Sequence, residues 1–328
     1  MKKKIIITAI LLLLLSCSDN NVSHRHIFFR MDTVTEVTLS VHKSLNVKPV
    51  WRSIDSLLYA FERRFSVTGA ESEVRIINER TVNALSISPE LGEMLATGIA
   101  YGDTLSGAFD ITVLPLKTLW GFCEECSGDE LLPDSNQVNA ALRYVDYRTV
   151  SINDTRDTIF FDSPYTRIDI GGIAKGYVLK QLEALLKNRG INNFVIAAGG
   201  DIIASGRKHD NAPWRVGVRH PRNHSELLTA LSLEDGVLVT SGDYERFRIV
   251  DGNRYHHIFD PSVGYSCGQN QSLTILAKDP VRADILSTGL FCRNAEEILE
   301  FVNQRDDLEC IVVDSAGKAH TSDGWGDI

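Results

Sequence analysis

Between Arg167 and Gly176 a short alternating run, Arg-Ile-Asp-Ile, ends in two glycines and gives way to a helix pattern. Ile173, Tyr177, Leu182, Leu185 and Leu186 fall roughly on one face until Arg189-Gly190 stops the pattern. A strand that breaks at Gly171-Gly172 and re-forms as a helix exposes backbone N–H groups. Together with the helix dipole these make a natural anion site. Asp169 lies at the strand end and Lys175 in the first helical turn. The same pattern also fits an ordinary tight strand–helix connection.

The rest of the chain reads as strands broken by fewer helices. Phe28 to Val41 alternates and is rich in β-formers, a first strand or hairpin. Trp51, Ile54, Leu58, Phe61 and Phe65 predict an amphipathic helix over 50–64. Ser88-Pro89 opens a second helix to about Leu105. A short helix follows Asp134, and Asp279-Pro280 opens a helix from Val281 to about Asn303. Strands are expected near 149–152, 158–161, 194–197, 202–204, 214–218, 230–233, 237–240, 273–277, 310–313 and 318–320. Asp251-Gly252-Asn253 between two further alternating runs is a hairpin signal. Strands outnumber helices and many neighbours are hairpins. That predicts an α+β fold with mixed, largely antiparallel sheets and packed helices.

The N-terminus stands apart. Lys2, Lys3 and Lys4 precede the apolar run Ile5 to Leu15, too short to span a bilayer as a mature helix and readable as a signal peptide. Its end, Leu14-Leu15-Ser16-Cys17, resembles a bacterial lipoprotein signal; by that resemblance Cys17 is lipidated and becomes the new N-terminus. Residues 1–17 are then the signal segment, 18–27 a polar tether and 28–328 a single domain. A formal net charge of -9 argues against nucleic acid as a partner. Export permits disulfides. Cys123-Glu-Glu-Cys126 could pair, bind a metal or do redox work, but no second close pair completes a four-thiolate zinc site. The two glutamates raise the thiol pKa values, so the motif reads as a small loop disulfide or two inert thiols.

Four further stretches carry chemistry: Gly107-Ala108-Phe109-Asp110 with Pro115 to Phe122; Ala198-Gly199-Gly200-Asp201; Thr240-Ser241-Gly242-Asp243-Tyr244 with His257 to Gly264; and Ala283-Asp284-x-x-Ser287-Thr288. On a helix Asp284, Ser287 and Thr288 share one face. One carboxylate and two hydroxyls are hard oxygens, which suit Mg²⁺ rather than zinc or copper; a solvated polar face with a back-bond to the helix is the plain alternative. His256 and His257 are adjacent on a strand and cannot both point into one site.

Taken in order, from Met31-Asp32-Thr33 to Ser287-Thr288, these motifs resemble those of the FAD:protein FMN transferase (ApbE) family. The resemblance runs from Met31 to about Val313 and implies an ApbE-like, T-fold-related architecture. It also implies the chemistry. FAD is split at its pyrophosphate, FMN passes to a Ser/Thr hydroxyl of an acceptor protein, and AMP leaves. In some relatives water takes the place of the acceptor, making a FAD pyrophosphatase. The implied metal is Mg²⁺, on Asp284 and Thr288 with Ser287 close by and the Gly172 carbonyl. Met31, the backbone at Ala108, Phe109 and Asp110, Asp169 and Lys175 are implied FAD contacts, and Phe259 or Ile258 a wall of the flavin pocket. His257 is the implied general base, with Asp243 orienting it or touching FAD. The implied acceptor is a subunit of a membrane redox complex or an exported flavoprotein, met on the periplasmic side, where the lipid anchor would hold this chain. A non-catalytic FAD-binding lipoprotein would have no need of Asp284, Thr288 and His257 together. The family's aromatic position after the first helix is absent from Phe65-Ser66-Val67-Thr68-Gly69; Tyr244 or Trp120 are the candidate substitutes for stacking.

Overall fold

A computed structural model describes residues 20–67, 69–123, 126, 132–223 and 225–326; Cys17 and the signal segment lie outside it. In chain order the strands are β1 (Asn21–Arg30), β2 (Thr33–His42), β3 (Ala84–Ser86), β4 (Val150–Ile152), β5 (Thr158–Phe161), β6 (Phe194–Ala198), β7 (Asp201–Ser205), β8 (Trp214–Arg219), β9 (Leu227–Leu233), β10 (Gly236–Gly242), β11 (Phe247–Val250), β12 (Asn253–His256), β13 (Asn270–Ala277), β14 (Glu309–Asp314) and β15 (Ala319–Thr321). The helices are α1 (Lys48–Phe65), α2 (Glu73–Asn78), α3 (Pro89–Thr104), α4 (Leu114–Leu119), α5 (Ser135–Leu142), α6 (Ala174–Lys187), α7 (Pro280–Gly289) and α8 (Ala295–Asn303).

The frame is an eight-stranded sheet in the order β1-β2-β6-β7-β10-β13-β14-β15. Every neighbouring pair is antiparallel. This is the expected α+β fold. The sheet is open, with β1 and β15 as its edges, so the described residues form no closed barrel. β13 is buried along its whole length because both sheet faces are covered. On one face lies the main core with the inward side of α1 (Val50, Ile54, Leu58, Phe61, Phe65) and of α6 (Tyr177, Val178, Leu182, Leu186). On the other the β8–β9 hairpin packs Trp214, Val216, Val218 and Leu233 onto Ala204, Leu238, Leu276 and Ile311.

Two expectations need correction. Residues 21–27, read as tether, are the first part of β1 and pair with β2. Their polar side chains alternate on a two-stranded edge, where a strand can form without an apolar repeat of its own. The single helix expected from Val281 to Asn303 is two. α7 ends after Gly289, and Asn294 then starts α8 with a reciprocal capping box to Glu297. The break is held open from the sheet: Asn270 Nδ2 donates to the carbonyls of Phe291 and Arg293, both at 2.7 Å, and Cys292 is bonded to Cys267. Cys123 and Cys126 also pair, one of the two readings open for that motif.

Candidate active site at the double-glycine turn

The double glycine lies where three elements meet. Asp169 is held by its N–H, which donates to the Ile111 carbonyl at 2.7 Å, and its Oδ1 accepts from Gly171 N at 2.9 Å. A Cβ on Gly172 would stand 2.9 Å from the Phe109 ring and 3.3 Å from Thr288 Oγ1, so only glycine lets the backbone approach α7 this closely. One turn on, a Cβ on Gly176 would meet the Pro280 carbonyl at 2.3 Å. α6 and α7 therefore cross in backbone contact at Gly176, and Gly176 N donates to Asp284 Oδ2 at 2.8 Å. The N-terminal turn of α6, readable as an anion site, is thus met by a carboxylate of the chain itself.

Around this crossing the hard oxygens converge. Asp284 is buried, and burial pushes its carboxyl up to about 7. Ser241 Oγ lies 2.9 Å from Ser287 Oγ and 3.4 Å from Thr288 Oγ1. Ser287 also donates back to the Asp284 carbonyl at 3.0 Å, the helix back-bond foreseen for it. Lys175 Nζ pairs with Asp201 Oδ2 at 2.5 Å. Burial works against the ammonium, but Asp201 and Asp284 outweigh it and hold Lys175 above its ordinary value. No group of three His, Cys, Asp or Glu able to hold a metal occurs among the described residues. What is present, one carboxylate with hydroxyls and a close glycine backbone, fits a hard divalent cation of the Mg²⁺ type and no soft one. A buried carboxylate that resists ionisation is stabilised by such an ion.

The structure separates the two histidines as strand geometry requires. His256 is buried, its Nε2 2.6 Å from the Cys267 carbonyl and its Nδ1 accepting from Ile258 N. His257, only partly buried, has Nδ1 3.3 Å from the Arg246 carbonyl. Burial, then Lys117, His256 and Arg246, push His257 down to about 3. Its ring is therefore neutral at ordinary pH and able to accept a proton, but held this low it is a weaker base than a free imidazole.

Other residues are placed differently from expectation. Asp243 does not orient His257: it takes a two-point ion pair from Arg222, both contacts 2.6 Å. The reason is sequence distance from the partner, since Arg222 comes from the loop after β8. Phe259 is 6% exposed and packs against Trp120 and Phe122, so its ring belongs to a satellite core rather than a pocket wall, and Ile258 is equally buried in the main core. Trp120 and Tyr244 are likewise buried, which leaves neither ring as a stacking platform. Asp110 uses its carboxylate on the loop itself, accepting from Thr112 N, Thr112 Oγ1 and Tyr147 N. Phe109 packs inward against Gly172 and Gly289. Ala108 and Asp110 line a cleft of about 370 Å³ with Tyr147, Arg148, Pro261 and Arg293. Met31 sits in the β1–β2 turn at φ 55°, its N–H bound to Glu62 Oε1 at 2.6 Å, and neighbouring Thr33 abuts Gly199.

Three participants carry no sequence signal of their own. Lys117 pairs with Asp169 at 2.8 Å, Asp201 takes the Lys175 ammonium, and Ser241 touches both hydroxyls of α7. Asp201 and Ser241 lie in motifs already singled out, but their partners are set by the fold. Lys117 lies in the Pro115 to Trp120 helical turn, where a lysine looks like any surface cation.

An open antiparallel sheet backed by crossed helices, with hard oxygens gathered on a double-glycine turn, defines an α+β fold with a candidate site for a hard cation. The chain belongs to the ApbE family: that family's model matches residues 31–312. A relative from Vibrio cholerae called FAD:protein FMN transferase is 30% identical over 285 residues, 85% of this chain and 84% of that protein. The ApbE protein of Thermotoga maritima superposes with a TM-score of 0.85 at 30% identity, covering 93% of this chain and 98% of the other. The flavin transferase ApbE of Vibrio cholerae gives 0.83 at 27% identity with the same coverage.

Proposed function

We propose that this chain is a Mg²⁺-dependent flavin transferase that moves the FMN half of FAD onto a Ser/Thr hydroxyl of an acceptor flavoprotein and releases AMP. It works on the periplasmic side of a bacterial membrane, anchored through a lipid on Cys17, with a subunit of a membrane redox complex or an exported flavoprotein as acceptor. The observation that carries the reading is the meeting of Asp284, Thr288 and the Gly172 backbone at one crossing. The relatives' name, FAD:protein FMN transferase, supports the same chemistry.

In the reaction the acceptor hydroxyl oxygen attacks the FMN phosphorus. The bond from that phosphorus to the bridging oxygen breaks, and AMP leaves with the oxygen and its electron pair. With Nδ1 turned to the Arg246 carbonyl, His257 Nε2 is the atom that takes the hydroxyl proton. Asp284, Thr288 and the Gly172 carbonyl would hold Mg²⁺, with Ser287 close by and Ser241 within reach of both hydroxyls. The ion, when bound, neutralises charge on the pyrophosphate oxygens. Lys175 and Lys117 are already paired with Asp201 and Asp169, so the positive charge that an anionic ligand needs would come from the ion.

The test is incubation with FAD and MgCl₂, with and without a membrane and periplasmic extract. AMP is followed by chromatography and labelled protein by in-gel flavin fluorescence. AMP release that needs Mg²⁺, together with a fluorescent acceptor band, is expected. FMN and AMP without a labelled band would make the protein a FAD pyrophosphatase. Bound FAD that is never cleaved would leave only a flavin-binding lipoprotein.

A further inference from the structure

Lys117 lies in the Pro115 to Phe122 stretch but has no implied contact with FAD or metal, yet the fold buries it against Asp169. Its side chain is 13% exposed and that of its partner Asp169 10%, with 2.8 Å between Nζ and Oδ2. Both carboxylate oxygens of Asp169 are then in use, Oδ2 by Lys117 and Oδ1 by the Gly171 N–H. Any side chain at 171 would meet the ammonium, since its Cβ would stand 3.3 Å from Lys117 Nζ. The next residue is Gly172, whose own Cβ would stand 3.1 Å from Thr288 Cγ2. A continuous set of contacts thus runs from α4 through Asp169 and the glycine turn to α7.

Resting on the transferase reading above, we propose that Lys117 is a positioning residue. Its ion pair with Asp169 pins the Gly171–Gly172 turn against Thr288. A buried ion pair of this kind costs desolvation of both partners, so removing one leaves the other a buried unpaired charge. Without the ammonium, Asp169 Oδ2 loses its ion-pair partner, and the carboxylate is free to rotate away from Gly171 N. The charges acting most on His257 are cations: Lys117 from α4, Arg246 from the segment before β11, and neighbouring His256 when protonated. Arg246 also acts on Asp169, but its side chain is exposed, so water screens it more than Lys117. Burial is the larger influence on the ring, and Lys117 is the foremost of the charges that add to it.

The experiment compares full-length wild type, Lys117→Met and Lys117→Arg. The His257 ring is followed by NMR across pH, with His257→Ala to assign its signal, and AMP release from FAD is measured in parallel. In wild type the ring is expected to stay unprotonated to about pH 4. In Lys117→Met the midpoint should rise by at least one pH unit. kcat should fall tenfold or more, with the acid limb moved up and KM for FAD changed less. Lys117→Arg should keep the wild-type midpoint and stay within threefold in kcat. If Lys117→Met fails to fold, Lys117→Gln keeps a hydrogen bond to Asp169 and removes the charge. A neutral variant with an unmoved midpoint and wild-type kcat overturns the proposal. A wild type that releases no AMP overturns the transferase reading instead, and the ring titration still decides the role of Lys117.

Discussion

Lys175 Nζ lies 2.5 Å from Asp201 Oδ2, a carboxylate with no exposed surface, and also feels the charge of Asp284. One half-exposed lysine thus balances two buried acids, and the crossing of α6 on α7 is built around it. Replacing Lys175 by Met strands Asp201 in a site that cannot solvate it. Breaking a buried pair costs about 3–5 kcal/mol; the exposure of Lys175 puts the loss at about 3 kcal/mol. Urea unfolding reads this directly. Lys175→Met with Asp201→Asn should recover the part of the loss that belongs to Asp201, and the remainder reports Asp284, which also loses the lysine.

The two glycines on either side of the helix start should fail differently. Gly176→Ala drives a methyl into the Pro280 carbonyl, a backbone atom that cannot swing aside. Overpacking of this type costs about 1–3 kcal/mol, visible as a lower urea midpoint. Gly172→Ala meets the Phe109 and Thr288 side chains, which can yield. Its unfolding midpoint should move less while kcat for AMP release falls at least tenfold.

His257 gives a pH signature in stability. Its folded value, about 3, lies below its ordinary 6.5, so the unfolded chain takes a proton that the folded one refuses. Stability is therefore lost as pH falls from about 6.5 towards 3. His257→Gln should remove that part of the loss. The gap between wild-type and variant melting temperatures should narrow or invert between pH 7.5 and pH 5, measured by differential scanning fluorimetry. The same substitution should lower AMP release at pH 7.5 by about 10²-fold or more, the usual range for a general base.

Asp110 ties its own loop to the residue that opens the turn before β4. Asp110→Ala leaves the N–H groups of Thr112 and Tyr147 without their acceptor in a buried place. Each lost acceptor costs about 1–3 kcal/mol, so the variant should unfold at clearly lower urea. The Ala108–Asp110 backbone should shift with it, raising KM for FAD more than it lowers kcat.

Of the two disulfides, Cys267–Cys292 closes a loop of sequence separation 25 and joins the strand region after β12 to the break between α7 and α8. Chain-entropy reasoning assigns it about 3 kcal/mol. Cys123–Cys126 closes a separation of 3 and stabilises little. Cys267→Ser with Cys292→Ser should lower the melting temperature by several degrees, while Cys123→Ser with Cys126→Ser should leave both melting temperature and AMP release near wild type.

Much of the fold was legible because its signals are local. The alternation of β6, β7, β10 and β14, the cap at Asp134, the Ser88-Pro89 start of α3 and the Asp251-Gly252-Asn253 hairpin each depend on residues a few positions apart. The break between α7 and α8 was not, because the atom that holds it, Asn270 Nδ2, comes from a strand 21 residues upstream of Phe291. The first part of β1, residues 21–27, escaped for a related reason. Its pairing partner β2 supplies the order, and its own side chains carry no apolar period.

For the site the division is similar. The sequence by itself determined the set of chemical groups: the double glycine, the hard oxygens of Asp284, Ser287 and Thr288 on one helical face, and a histidine pair that must split. Only the tertiary structure decided their partners. It gave Asp243 to Arg222, Asp201 to Lys175 and Asp169 to Lys117, and turned Phe259 into a core. The physical reason is that helix faces and strand alternation follow from spacing along the chain. An ion pair or a close backbone approach depends on which distant segment the packing brings within 3 Å.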